Sequence, residues 1–343
     1  MKVKDIGEFG LISTFAQNCI FNKSELIVGI GDDAAVLPLD KDNYLLAASD
    51  MLIENLHFLT NSSTPFQIGY KAIAVNFSDI AAMGGWPTGV LISLGIPPYT
   101  SVDFIEEIYF GMKEICSKYN ANIIGGDTVS TINDIIINVS VLGKVKKNEL
   151  HLRSHAKVND VVFCTGTLGD SAAGLAIIKS KDKDITLPPS VKNILLKKHL
   201  APEPCLIESK VLNIHKGLNA LNDISDGLAS EIHEIAEASN VGIYLYPEKI
   251  PISNEAKLAS DSLGINPLDW ALYGGEDFQL VGTISSHNFD QIKDIFKRKL
   301  GREIYDIGKV TDLPGVYFID RKSNKRKEID KKGYNHFNNN VLK

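Results

Sequence analysis

The 343-residue sequence lacks the patterns that mark several common classes of protein. It has no G-x-x-x-x-G-K-S/T loop and no G-x-S-x-G elbow, which argues against P-loop nucleotide hydrolysis and against serine hydrolysis. No apolar run approaches the roughly 18 residues that span a membrane. The net charge of -6 supplies no general basic field for nucleic acid. We therefore expect neither a membrane protein nor a nucleic-acid-binding protein.

Cysteine is scarce and scattered. The four cysteines form no C-x-x-C pair, and free thiols in a reducing cytoplasm are favoured over two disulfides. The opening MKVKDIGEFG carries acids and glycines rather than the charged cap and apolar run of a signal peptide. We expect a cytoplasmic protein, and two domains, because 343 residues are too many for one comfortable core.

The hexapeptide GIGDDA, residues 29–34, fits the dinucleotide-binding pattern, and Asp50 follows where that pattern has its ribose-binding acid. The pattern requires a helix directly after the glycines, because the helix N-terminus holds the pyrophosphate. Pro38 would interrupt such a helix, and LDKDN indicates a turn between two apolar runs. We therefore predict a β-hairpin with Asp32 and Asp33 at one end and Asp50 at the end of its second arm.

Strand and helix patterns follow one another along the sequence. TPFQIGYKAIAVNFSDIAAMG predicts a buried helix with Asn76 and Asp79 on one face. ANIIGG predicts a buried strand that ends at Asp127, and ALNDISDGLASEIHEIAEASN predicts a helix with an acidic start. The polar stretch KKNELHLRSHAKVND predicts a junction between domains of residues 1–146 and 147–343. Strands and helices in both halves predict α/β or α+β domains.

Carboxylates recur at the predicted ends of strands and helices, beside Gly, Ser or Asn. They are Asp32, Asp33, Asp50, Asp79, Asp127, Asp223, Asp226, Glu276 and Asp277. Singly, each has another explanation, such as a helix cap at Asp223 or Asp226 or a turn at Asp50. Gathered together they would repel one another, whereas Mg²⁺ takes carboxylate oxygens and bridges to phosphates. With few Lys or Arg nearby, the set favours a polymetal phosphoryl-transfer site.

A series of short segments carries a resemblance to a known family. The segments are GIGDDAAVL, SDMLIENLHF, YKAIAVNFSDIAAMGGWP, IIGGDT, TGTLGDSAAGLA, ISDGL and YGGEDFQL. In their order and spacing the sequence resembles the thiamine-monophosphate kinases, from residue 7 to Phe337. That family shares a superfamily with aminoimidazole-ribonucleotide synthetase, selenophosphate synthetase and the hydrogenase-maturation dehydratase.

The resemblance implies a two-domain α/β fold with mixed sheets, like that of aminoimidazole-ribonucleotide synthetase. An N-terminal domain would bind ATP and Mg²⁺, and its strands would pair across a homodimer. A C-terminal α/β domain would complete the active site. The implied activity is ATP-dependent phosphorylation of thiamine monophosphate to thiamine diphosphate, the final step of its biosynthesis. The transfer would be direct and in line, and several Mg²⁺ ions would assist it.

The resemblance also implies which residues do this work. The implied Mg²⁺ ligands are Asp33, Ser49, Asp50, Asp79, Asp127, Asp223 and Asp226. The implied ATP contacts are Tyr109, Gly126, Asp127, Arg153 and Ser225, and the implied contacts to thiamine monophosphate are His57, Glu276 and Tyr334. The acids placed closest to the chemistry are Asp50, Asp127 and Asp226.

The sequence departs from the family pattern near two of these residues. Ala48 stands where a hydroxyl residue is usual, so a metal contact there falls to the backbone. Met51 and Asn55 replace the commoner Thr and Gly beside His57. The loop RSHAKVND, which carries Arg153, lacks the usual Gly and Pro. None of these departures removes an acid.

Specific residues argue against the other functions considered. Cys19 lacks the Gly-rich loop expected of a selenophosphate synthetase, and the sequence ends NNNVLK rather than in the Cys-bearing tail of a hydrogenase-maturation protein. Aminoimidazole-ribonucleotide synthetase lacks YGGEDF and GYNHF in this order. A non-catalytic nucleotide-binding scaffold would have no use for mutually repelling carboxylates.

Overall fold

The computed structural model describes residues 2–180, 186–214, 217–320, 323, 325–334 and 337. These residues form two compact units. The first takes the described residues of 1–80, 86–148 and 334–343, and the second takes those of 81–85 and 149–333. None of the described helices combines the length and the apolar character that a membrane span requires.

The first unit contains a five-stranded sheet and three helices among its described residues. These are α1 (Val3–Phe15), β1 (Ala35–Pro38), β2 (Asn43–Ile53), α2 (Pro65–Ala82), β3 (Trp86–Ile96), α3 (Val102–Lys118), β4 (Asn122–Ser130) and β5 (Ile136–Lys146). The strand order is β1-β2-β5-β3-β4. Strands β3 and β4 are parallel, and the other neighbours are antiparallel. The hairpin predicted after GIGDD is therefore confirmed as β1 and β2, and the predicted helix is confirmed as α2.

One face of this sheet is covered and the other is open. Helix α2 lies on the covered face, where a Cβ on Gly143 of β5 would stand 2.9 Å from the Ile80 side chain. Ile92 of β3 and Val139 of β5 are buried on that face and pair with each other. The preceding residue of β3, Leu91, is 40% exposed because successive side chains alternate between the faces.

Strand β4 corrects an expectation. The sequence predicted a buried strand ending at Asp127, but the strand continues to Ser130 and almost all of its residues are exposed. Ile124 is 53% exposed and Val129 is 55% exposed. β4 lies at an edge of the sheet, so one side of its backbone pairs with no other strand of the described chain. A short apolar run has the same appearance in a buried strand and in an edge strand, which explains the error.

The second unit contains a seven-stranded sheet surrounded by helices. Its strands are β6 (Val161–Cys164), β7 (Leu218–Asp223), β8 (Gly242–Leu245), β9 (Leu280–Ile284), β10 (Tyr305–Thr311), β11 (Gly315–Ile319) and β12 (Arg326–Glu328). Its helices are α4 (Asp170–Lys179), α5 (Pro189–Leu200), α6 (Leu206–Leu212), α7 (Leu228–Ser239), α8 (Asn254–Leu263), α9 (Pro267–Tyr273) and α10 (Phe289–Leu300). The strand order is β12-β11-β8-β10-β6-β9-β7. Two mixed sheets with helices confirm the predicted fold class.

The apolar face of α7 supplies much of the core of this unit. Leu228, Ile232 and Ile235 are fully buried in one cluster with Val162 of β6 and Val281 of β9. The segment ALNDISDGLASE was predicted as the start of a helix, but its first half is strand β7. The strand ends at an acid and the helix begins five residues later, which is where α/β proteins bind ligands.

Candidate active site

The β1–β2 hairpin brings two predicted metal ligands to one end of the first sheet. Ala35 of β1 lies opposite Ala47 of β2. Asp33 precedes Ala35 by two residues and Asp50 follows Ala47 by three, so both lie at the same end of the antiparallel pair. Asp50 lies opposite Val139, and its side chain is therefore on the covered face of the sheet.

Helix α2 supplies two further polar groups to that place. Asn76 is fully buried, and its Oδ1 accepts from the backbone N–H of Asp50 at 3.1 Å. Its Nδ2 donates to the carbonyl of Ala72 at 3.0 Å, which fixes the orientation of the amide. Asp79 follows one turn later, and its carboxyl group is hydrogen-bonded to that of Asp50. Carboxylate oxygens of Asp33 and Asp79 also lie within 4.8 Å of each other.

Three carboxyl groups therefore converge in the first unit, at Asp33, Asp50 and Asp79. Burial raises the pKa of Asp50, and the hydrogen bond from Asp79 opposes that rise. Two carboxyl groups in contact must share a proton or be bridged by a cation, since two adjacent negative charges repel. Hard oxygen donors at this spacing are what Mg²⁺ binds. The residues present fit a divalent cation, and we call them the acid cluster.

Two predicted ligands lie on the opposite face of the same sheet. Ser49 precedes Asp50 on β2, so its hydroxyl points to the open face, where it lies 3.0 Å from the Ser140 hydroxyl. Asp127 of β4 pairs with Ser93 of β3, which is also on the open face. β5 and β3 separate β4 from β2, a distance of roughly 14 Å across the sheet. Within one chain, the Asp127 carboxylate is not brought to the acid cluster.

Gly126 explains how β4 approaches its neighbour. Its φ is 153°, and a Cβ at this position would stand 1.7 Å from the carbonyl oxygen of Ile92. A side chain is therefore excluded where the strands are closest. Tyr109, the further nucleotide candidate of this unit, is half-buried on α3.

His57 follows a turn after β2. Its Nδ1 accepts from the backbone N–H of Ile53 at 2.9 Å, so the neutral ring carries its proton on Nε2. The carbonyl of His57 accepts from the buried ammonium group of Lys71 at 3.4 Å. The sequence predicted His57 as a substrate contact but gave no sign of Lys71. Tyr334, another predicted contact, is half-buried and belongs to the first unit.

In the second unit, β7 ends at Asp223, and the segment that follows it carries Ser225 and Asp226. Glu231 of α7 is 2% exposed, and its carboxyl group holds this segment through hydrogen bonds. One of its oxygens accepts from the Asp226 backbone N–H at 3.0 Å and from the Ser225 hydroxyl at 3.3 Å. Burial and neighbouring carboxylates raise the pKa of Glu231. This residue was absent from the sequence-based predictions.

The same support extends to Arg153. Its Nε donates to the Asn222 Oδ1 at 3.2 Å, and its guanidinium lies 2.9 Å from the Glu234 carboxylate. Asn222 in turn donates from Nδ2 to Glu231 at 2.8 Å. Hydrogen bonds that converge on the Glu231 carboxylate therefore join Arg153 to the segment with Ser225 and Asp226. The structure brings together these residues, which the sequence placed far apart.

The GGED segment, residues 274–277, lies directly against the segment after β7. The backbone N–H of Glu276 donates to the Ser225 carbonyl at 2.7 Å, and that of Phe278 donates to Ile224 at 2.9 Å. A Cβ on Gly275 would stand 2.5 Å from the Ser225 carbonyl oxygen, so a side chain is excluded at this contact. A predicted nucleotide contact, Ser225, and a predicted substrate contact, Glu276, are therefore neighbours.

The two acids of GGED have different surroundings. Both oxygens of Asp277 are engaged at the N-terminus of α4, accepting from Gly169 N–H at 2.6 Å and from Ser171 N–H at 3.1 Å. The Glu276 side chain is 28% exposed and lies 3.2 Å from the His199 ring. Asp277 anchors the loop to α4, whereas Glu276 remains accessible to a ligand.

Comparisons with known proteins identify the family of this chain. Residues 31–145 match the family model described as AIR synthase related protein, N-terminal domain, and residues 157–321 match its C-terminal domain. A thiamine-monophosphate kinase of Bacillus subtilis is 40% identical over 96% of this chain and 99% of its own length. The chain belongs to the thiamine-monophosphate kinase family. The resemblance stated from the sequence is confirmed.

Other thiamine-monophosphate kinases extend the match. The enzyme of Aquifex aeolicus is 36% identical over 98% of this chain and 100% of its own length. The solved structure of AaThiL complexed with AMPPCP and TMP has a TM-score of 0.83 at 35% identity. It covers 98% of this chain and 99% of its own. The two-domain fold expected of the family is therefore confirmed.

Asp277 predicts a pH dependence of stability. Burial raises the pKa of Asp277 from 3.8 to about 7. Between these values the folded state binds more protons than the unfolded state, so the free energy of unfolding falls as pH rises from about 4 to about 7. The fall due to this group is at most about 1.4 kcal/mol per pH unit. Asp277→Asn removes the titrating group.

Urea unfolding of wild type and Asp277→Asn from pH 4.5 to 8 measures this effect. The free energy of unfolding of wild type should fall relative to that of Asp277→Asn as pH rises to about 7, and the difference should then stay constant. Asp261→Asn, at an exposed acid on α8, is the control and should show no such shift. A difference between wild type and Asp277→Asn that does not vary with pH would contradict the assigned pKa.

Proposed function

We propose that this protein transfers the γ-phosphoryl group of ATP to thiamine monophosphate, giving thiamine diphosphate and ADP. The observation that carries the proposal is the full-length similarity to a structure complexed with AMPPCP and TMP, together with 40% identity to a named kinase of this reaction. AMPPCP is an analogue of ATP, so that neighbour binds an ATP analogue together with TMP. The reaction would be the final step of thiamine diphosphate synthesis, in the cytoplasm.

Several Mg²⁺ ions would be held by the acids of both units. In the first unit the acid cluster is the strongest candidate, because the Asp79 carboxyl group is hydrogen-bonded to that of Asp50 and lies within 4.8 Å of that of Asp33. In the second unit the candidates are Asp223, which is 2% exposed, and Asp226. Ser49 and Asp127 remain candidates on the open face. Bound Mg²⁺ would neutralise the charge on the phosphate oxygens that approach one another.

The chain's own residues would bind and orient both substrates. Arg153 and the backbone at Ser225 and Gly126 would hold the nucleotide phosphates, with Tyr109 near the nucleotide. The Nε2–H of His57 is a donor for a phosphate or ring acceptor, because Nδ1 is occupied by Ile53. Glu276 would accept from the aminopyrimidine amine, and Tyr334 would stack on a ring.

The transfer itself needs no covalent intermediate with the protein. An oxygen of the thiamine phosphate would attack the γ-phosphorus of ATP in line with the bond to the bridging oxygen. That bond breaks as the new P–O bond forms, and ADP leaves with the bridging oxygen. Catalysis of such a transfer is mostly positioning and charge neutralisation, to which Asp50, Asp127 and Asp226 would contribute.

Formation of ADP and thiamine diphosphate from ATP and thiamine monophosphate tests the proposal, with Mg²⁺ and then with EDTA. We expect both products in equal amounts with Mg²⁺ and neither with EDTA. Asp50→Asn should fold but lose turnover by at least about 100-fold, since it removes one charge from the acid cluster. The exposed Asp261→Asn is the matched control and should keep wild-type turnover. Wild type that binds ATP but makes no thiamine diphosphate would contradict the proposed acceptor.

We also propose that the protein is a homodimer that uses the open face and edge of the first sheet. Among the residues that the structure describes, none pairs with the outer edge of strand β4, which also presents the exposed side chains of Ile124 and Val129. Exposed apolar edge strands favour pairing with another chain. Asp127 lies on this open face, away from its own acid cluster. In a symmetric dimer, the partner's Asp127 would be a second copy that could complete an active site.

Co-expression of Asp50→Asn with Asp127→Asn tests this arrangement. If each site combines Asp50 of one copy with the partner's Asp127, a mixed dimer has one intact site. Random pairing should then restore about a quarter of wild-type activity per site, although each variant alone is inactive. Light scattering should give a dimer mass throughout. A monomer mass would contradict the dimer, and a dimer without restored activity would show that Asp127 serves its own chain.

A further inference from the structure

A buried histidine contacts the accessible acid of the GGED segment. His199, on α5, is 6% exposed, and its Nδ1 lies 3.2 Å from Oε2 of Glu276. The same nitrogen lies 3.1 Å from the hydroxyl of Ser171 on α4. No sequence motif pointed to this residue, and the proposed chemistry does not use it. It therefore needs an explanation of its own.

The chemistry of the contact fixes its direction. A carboxylate oxygen accepts hydrogen bonds, so the His199 nitrogen that faces Glu276 carries a hydrogen and donates. The Ser171 hydroxyl can accept from that N–H or donate elsewhere. Ser171 also donates its backbone N–H to Asp277 at 3.1 Å. The first turn of α4 thus contacts both acids of GGED, one directly and one through His199.

The backbone of Glu276 adopts an unfavourable conformation. Its φ is 68°, in the left-handed region that is unfavourable for residues other than glycine by roughly 1–2 kcal/mol. Strained residues persist where their surroundings hold them, and they cluster at ligand sites. On one side the Glu276 N–H is held by the Ser225 carbonyl, and on the other side Asp277 is fixed to α4. The Glu276 carboxylate, at the end of a flexible side chain, is held by His199.

We propose that His199 is a positioning residue that sets the acceptor specificity of this enzyme by orienting the Glu276 carboxylate. This inference rests on the proposed function, in which Glu276 accepts from the exocyclic amine of the acceptor's pyrimidine ring. A carboxylate held in one orientation favours a ring with an amine donor over a ring with a carbonyl at the same position, because two acceptors facing each other repel. His199 acts on the acceptor through Glu276 and does not act on the nucleotide.

Three variants separate positioning from packing. His199→Leu keeps much of the buried volume but removes the donor. His199→Asn keeps an amide N–H near the position of Nδ1 and should rescue the contact. Packing around this residue is tight, since a Cβ on Gly174 would stand 3.1 Å from the His199 Cβ, so a melting curve accompanies each variant. His287→Leu, at an exposed histidine, is the matched control.

The experiment measures KM for thiamine monophosphate, KM for ATP and kcat, and compares thiamine monophosphate with its 4-oxo analogue. For His199→Leu we expect KM for thiamine monophosphate to rise roughly 10- to 100-fold, with KM for ATP unchanged and less preference for the amine. His199→Asn should recover most of the loss, and Ser171→Ala should show a smaller change of the same kind. Equal rises in both KM values, or an unchanged preference for the amine, would overturn the proposal.

Binding measured by calorimetry separates this inference from the proposed function. Wild type that does not bind thiamine monophosphate would contradict the function itself. If wild type and a folded His199→Leu bind thiamine monophosphate equally well, the role of His199 is contradicted and the proposed function is not. If His199→Leu does not fold, His199→Asn and Ser171→Ala are compared with wild type instead. An unchanged KM for thiamine monophosphate in Ser171→Ala, together with an unchanged preference for the amine, would then overturn the proposal.

Discussion

The repulsion among carboxyl groups at the end of the β1–β2 hairpin is the constraint on which the rest of the account depends. Asp50 and Asp79 are hydrogen-bonded through their carboxyl groups, and Asp33 lies within 4.8 Å of Asp79. A protein gains nothing in stability from collecting such groups. The surrounding structure nevertheless holds them in place, since the fully buried Asn76 ties α2 to the backbone of Asp50. The divalent cation that we propose would explain why the fold holds these mutually repelling carboxyl groups together.

The second unit solves a different problem, which is to hold two polar loops in fixed relation. The segments around Ser225 and Gly275 lie backbone against backbone, at a distance that leaves no room for a Cβ on the glycine. Each segment also has a buried acid as its anchor, Glu231 in one case and Asp277 in the other. Neither anchor is available to a ligand in the way that Glu276 is. The neighbouring acids of GGED therefore divide into one that fixes the loop and one that faces outward.

The sequence predicted those parts of the site that depend on neighbouring residues in the chain. Pro38 and the LDKDN turn were enough to predict the hairpin, and the 3.6-residue period placed Asn76 and Asp79 on one face of α2. Pairing partners decide the rest, and a single sequence does not reveal them. The covered face of Asp50 and the open face of Ser49 became apparent once the register with β5 was known. The exposure of β4 and the strand at β7 were missed for the same reason, because sheet order and edges are set by distant segments. His199 and Glu231 act through contacts with residues that carry the motifs, and no motif marks them.

The most direct test of the central claim is Mn²⁺ binding to the protein without nucleotide, measured by electron paramagnetic resonance. Mn²⁺ binds the same oxygen donors as Mg²⁺, and the concentration of unbound Mn²⁺ is read directly from its resonance signal. The account predicts that wild type and the exposed control Asp261→Asn bind Mn²⁺, and that Asp79→Asn, with its fold intact, binds it at least about tenfold more weakly. Equal binding by folded Asp79→Asn and wild type, or no binding by wild type, would contradict the assignment of the acid cluster as a metal site.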